Sequence, residues 1–246
     1  MEAKQFKNVF FIPYIGDKYE QGYHGKKVLV LGESHYCADD DGNTSIEDYP
    51  EWESLTNGVI ESFKEYQRGN EGHSNWMRTF TKFSKAFNNG DLSPEEIIDF
   101  WEHVAFYNYV QVPMVAPRQS PTEEQFAKSE KAFWEILETY LPDIIIVWGQ
   151  RLWQKLPYTG EYLPKENTLI NNGKGLYYYK VKDKKIVLDY IINGKILKTI
   201  LLDTNFSSFG NNYLNYAEEF FITEDNFDPF IPSYNFDAEN NTLMQY

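Results

Sequence analysis

A single cysteine in 246 residues, Cys37, excludes an internal disulfide and any zinc or iron–sulfur centre built from several thiolates. Positive charge is also short. With 23 Lys and Arg against 37 Asp and Glu the net charge is −14, which repels a phosphate backbone. Any nucleic-acid role must therefore rest on a local basic patch or on capture of a single base, and Lys26, Lys27, Arg118 and Arg151 are the residues a basic groove would use. No apolar run approaches a bilayer-spanning length, and the polar start leads only to Val9-Phe10-Phe11-Ile12, so a cytoplasmic location without membrane contact is expected. His24, His73 and His103 lack metal-ligand spacing, so neither a metal nor a cofactor is expected. No internal repeat, low-complexity tract or linker divides the chain. The expectation is one domain over residues 1–246, with a core at about 26–220 and an acidic, aromatic tail at 223–246.

What is present is a soluble-type composition, 42% hydrophobic and 17% aromatic, able to build a core. Val28-Leu29-Val30-Leu31-Gly32 is a short continuous apolar run stopped by glycine, the pattern of a strand buried on both faces. Runs at 104–110 and 144–149 repeat it. Between Leu55 and Phe87 the apolar positions Trp76, Phe80, Phe83 and Phe87 recur at helical steps. Ser93-Pro94-Glu95-Glu96 and Pro121-Thr122-Glu123-Glu124 are helix starts. Strands separated by helices predict an α/β fold, a three-layer α/β/α arrangement around a mainly parallel sheet. Near 175–202 the pattern changes to antiparallel meander, with turns at Asp183-Lys184 and Asn193-Gly194 and a last run, 196–202, that rejoins the main sheet. Tyr177-Tyr178-Tyr179 reads as packing surface in that meander, and a short helix is expected through Ala217 and Phe221.

Three polar clusters fall where strands end: Gly32-Glu33-Ser34-His35-Tyr36, Asn108 with the loop to Arg118, and Asn205-Phe206-Ser207-Ser208. In a parallel sheet such ends share one crevice. Asn108 carries the donor and acceptor needed to read a heterocycle edge, or it serves the neighbouring backbone as an ordinary buried amide. His35 is either structural or a water-positioning group, and Glu33 either a loop carboxylate or the base.

This order of motifs resembles the uracil-DNA glycosylase superfamily, and is most similar to its bacterial iron–sulfur type. Residues 28–36 resemble the water-activating strand and loop, and Phe106-Tyr107-Asn108-Tyr109-Val110 the base-reading strand. Asn108, Pro113, Pro117, Arg118, Pro121, Thr122, Glu123 and Glu124 follow the iron–sulfur type in order, and 143–150 resembles the third strand with its glycine. The departures are specific. Cluster-ligand positions fall on Val112 and Ser129, Ser34 stands where the family's Asp would be, and Asn205-Phe206 replaces the terminal His-Pro pair. The resemblance implies that Asn108 reads a base walled by Tyr36 on the Gly32 and Ser34 loop. It implies that Glu33 or His35 positions water, that Asn205 stabilises the leaving base, and that Ser207 and Ser208 hold a flanking phosphate. The expected activity is nucleobase capture with hydrolysis of an N-glycosidic bond in DNA. Two other readings stay open: a non-catalytic module of the same fold that binds a protein or a modified base, and a hydrolase of free nucleotides or nucleosides.

Overall fold

A computed structural model describes residues 6–37, 45–88, 92–115, 119–157, 161–162, 177–192, 195–197, 234–237 and 242–245. The fold is mixed α/β. Its sheet is built on β2 (Val28–Gly32), β3 (Val104–Asn108) and β4 (Ile144–Trp148), and β2 and β3 are buried along their whole length. β2 pairs in parallel with both others, Val28 opposite Val104 on one side and Ile144 on the other. A short β1 (Tyr14–Ile15) runs antiparallel to β3 at the edge. On the far side come β5 (Glu161–Tyr162), β6 (Tyr177–Val181), β7 (Lys184–Ile192) and β8 (Lys195–Leu197). The order is β1-β3-β2-β4-β7-β6-β5, with β8 also paired to β7.

The meander forms as its alternation predicts, β6 against β7 and β7 against β8. β7 joins the parallel core, pairing Ile144↔Val187 through Trp148↔Ile191 with β4, while the run after Asn193-Gly194 enters the same sheet through β8 on β7 and its residues 198–202 lie outside the described residues. The reason is length. Nine residues give β7 one edge for β4 and another that β6 and β8 share end to end. The Asn193-Gly194 turn, the loop at 203–210 and the expected helix through Ala217 and Phe221 lie outside the described residues; in the tail, β9 (Tyr234–Asp237) and β10 (Thr242–Gln245) form a separate antiparallel ribbon.

The period-two alternation of the strands sends their side chains into two cores. Val28, Val30, Val104, Phe106, Ile144 and Ile146 pack with α1 (Leu55–Gln67), α2 (Met77–Asn88) and α3 (Pro94–Glu102). Leu29, Leu31, Ala105, Tyr107, Ile145 and Val147 pack with α4 (Glu123–Tyr140) and, through Leu152, α5 (Gln150–Lys155). Both read helix starts close as capping boxes: Ser93 with Glu96 opens α3, and Thr122 with Gln125 opens α4. α4 stops at Leu141, in the left-handed region at φ 44°, directly before Pro142.

Chain order and strand order together locate the crevice. From β2 the chain moves one way, to β3, through α1–α3. From β4 it moves the other way, to β7. Connections that diverge from adjacent parallel strands leave an opening beyond their carboxyl ends, here between β2 and β4.

Candidate functional site

Gly32 and Asn108 face each other at the last register position of β2 and β3. Alternation turns Asn108 toward the α1–α3 side, where it is 6% exposed. A Cβ at Gly32 would overlap Asn108 Oδ1 and come within 3.1 Å of Phe106 Cζ, so the glycine that ends the strand is required by the amide lying over it. Asn108 Nδ2 lies 3.0 Å from His35 Nε2, and Thr56 Oγ1, from the first turn of α1, lies 2.9 Å from the same nitrogen. Among the described residues Oδ1 accepts no hydrogen bond.

His35 is 5% exposed, and the Phe11 ring packs on it at 4.7 Å between centroids. Burial pushes its pKa down to about 3, so the imidazole is neutral at physiological pH. Phe11 belongs to an N-terminal strap that Gln111 fastens: Gln111 Oε1 accepts from Phe10 N at 2.9 Å and Phe11 N at 3.0 Å, while its Nε2 donates to the Asn108 carbonyl at 2.8 Å. Farther out, Glu135 of α4 accepts from Lys7 N and Asn8 N.

Backbone pairing continues past the strands. Tyr109 N donates to Gly32 O at 2.9 Å, Val110 N to Glu33 O at 2.8 Å and Met114 N to His35 O at 2.9 Å, so the two post-strand loops run together. Tyr36, bridged to Met114, is 40% exposed, next to the exposed Val115. Cys37 is half-buried; burial raises its thiol to about 11, so it is not a thiolate at neutral pH.

Glu33 takes the opposite face. Its carboxylate accepts from both Arg151 Nε, at 2.7 Å, and Arg151 Nη2, a bidentate clamp across the opening between β2 and β4. Gly149, at φ 94° between β4 and α5, makes the turn that brings Arg151 there. Ser34 Oγ and Trp148 Nε1 are buried and have no hydrogen-bond partner among the described residues. The Trp148 ring packs on Phe80 and Phe106, each at 5.2 Å.

The structure thus gathers Gly32, Asn108 and His35 on one side of the strand ends and turns Glu33 to the other, with Tyr36 at the rim. Asn205, Ser207, Ser208 and Arg118 lie outside the described residues. Of the residues a basic groove would use, Lys26 and Lys27 precede β2, about 16 Å of strand away from its carboxyl end, and Lys27 pairs with Glu20. Among the described residues no group of three or more His, Cys, Asp or Glu is placed to hold a metal ion, and no helix is long and apolar enough to cross a membrane.

Sequence reading missed Thr56, which stands in no motif, and Gln111, whose signal was present: it is the second polar residue, three after Asn108, in a run otherwise apolar from 104 to 114. Compared with known families and curated proteins, the chain matches no family model and no curated protein.

Proposed function

We propose that the crevice at the carboxyl ends of β2, β3 and β4 captures a nucleobase, in a three-layer fold like that of the uracil-DNA glycosylases. The observation that supports this most is the state of Asn108: a buried residue, its amide held by His35, seated on a glycine at a strand end, with an acceptor oxygen that takes no hydrogen bond among the described residues. An acceptor left open at a strand end is free to take a donor from a ligand, and a hydrogen bond of this kind contributes about 0.5–1.5 kcal/mol net. A flat heterocycle presenting an N–H beside an acceptor would match that amide edge, and Tyr36 supplies an aromatic wall.

Hydrolysis of an N-glycosidic bond would fall to Glu33, because His35 Nε2 is buried and already engaged by Thr56 Oγ1 and Asn108 Nδ2, which leaves a water no place at that nitrogen. The Arg151 clamp on Glu33 favours the second reading, base capture without chemistry. One assay separates them. Wild-type protein is titrated with free bases and nucleosides, then incubated with uracil-containing single-stranded DNA. Saturable base binding weakened about tenfold or more in Asn108→Ala is expected. Released free base, lost in Glu33→Gln, assigns the enzyme; binding without release assigns the module. No binding of any base overturns the proposal.

A further inference from the structure

We infer that Thr56, acting through His35, is a positioning residue that fixes which way the Asn108 amide faces and so which heterocycle edge the crevice accepts; this rests on the capture reading above. The chain of reasoning starts at the hydroxyl. Thr56 is fully buried, and the hydrogen bond its hydroxyl makes among the described residues is to His35 Nε2. A buried hydroxyl proton needs an acceptor. Nε2 therefore carries a lone pair, and the proton of the neutral ring sits on Nδ1. An unprotonated Nε2 at 3.0 Å selects the N–H end of the Asn108 amide over its oxygen. Oδ1 is left on the Gly32 side and the second N–H on the His35 side.

Donor and acceptor thus occupy fixed places, and a base held in one glycosidic orientation must match them. A lactam edge, as in uracil, and an amidine edge, as in cytosine, place hydrogen and lone pair in opposite order. If the ring shifted its proton to Nε2, the amide would turn over and the preference would invert. Thr56 opposes that shift, because its hydroxyl would lose its acceptor.

The test uses the whole chain, labelled with ¹⁵N-histidine. Long-range ¹⁵N–¹H spectra should show His35 as the Nδ1–H tautomer in wild type. In Thr56→Val, a near-isosteric change, the Nε2–H tautomer should rise about five- to tenfold, and the binding ratio of uridine to cytidine should shrink by a similar factor. Thr56→Ser should restore both. An Nε2–H tautomer in wild type overturns the inference, as does a Thr56→Val protein with unchanged tautomer and unchanged binding ratio. If wild type binds neither nucleoside, the capture reading and the specificity role fall together, and a tautomer shift then shows a purely structural lock. If it binds them with a ratio that Thr56→Val leaves intact, only this inference fails.

Discussion

The two sides of one crevice are held by opposite means. On the β3 side Asn108, His35 and Thr56 are uncharged, buried and joined by hydrogen bonds shared at one nitrogen. On the β4 side Glu33 and Arg151 form a bidentate ion pair whose side chains are 14% and 37% exposed. A neutral network in a dry place resists salt and responds steeply to any change in shape or protonation; a charged pair that reaches solvent through its arginine tolerates both better and feels ionic strength. Under the capture proposal, the neutral side supplies the fixed donor and acceptor. The charged side can be opened.

The sharpest way to break the neutral side is Gly32→Ala. The new methyl overlaps Asn108 Oδ1 and crowds Phe106, and neither strand can move because both are paired on two sides. A loss of about 3 kcal/mol in urea denaturation is expected, together with loss of base binding. Unchanged stability would mean the amide does not lie over Gly32.

Acid should act on the same side next. His35 binds a proton near pH 6.5 when unfolded but only near 3 when folded. Between those values the unfolded chain holds more protons, so the contribution is fully present above about 6.5 and shrinks as pH falls. From pH 7 to 5 the drop is about 2 kcal/mol, and His35→Gln should abolish that part of the slope. A pH-independent stability over this range would show His35 to be solvated.

Gln111→Leu follows, at about 1.5 kcal/mol, by leaving the Phe10 and Phe11 amides without their acceptor. Loosening of the strap should expose the Phe11 face of His35. Hydrogen exchange at Phe10 and Phe11 measures this directly; protection retained at both would show another acceptor takes over.

The sheet was legible because its strands are short apolar runs and its helices carry their own start signals, so local chemistry and final fold agree at Ser93, Thr122 and Gly32. The site was legible only as far as strand ends reach. Asn108 and Gly32 are register partners, and their meeting follows once the strands are parallel neighbours. The partners that set their chemistry come from elsewhere: Thr56 is 21 residues from His35, and Arg151 is 118 from Glu33. Nothing local marks such pairs. Alternation did predict, had it been carried one residue past Gly32, that Glu33 and Asn108 would leave adjacent strands toward opposite faces. Which edge of the meander meets β4 was not legible, since both β7 and the run after it carry the same alternation.

The smallest effect belongs to the charged side. Arg151→Met removes the clamp and leaves the mostly buried Glu33 carboxylate to find water, at a cost of about 1 kcal/mol near low ionic strength. Raising salt to about 1 M should weaken the wild-type pair and bring the two proteins closer, whereas Thr56→Val should differ from wild type by the same amount at every salt concentration. If Glu33 carries chemistry, freeing it by Arg151→Met also leaves hydrolysis intact or faster; if Arg151 orients Glu33, the same change slows it. An Arg151→Met protein equal to wild type in stability at low salt, with no salt dependence in either, would erase the contrast between the two sides.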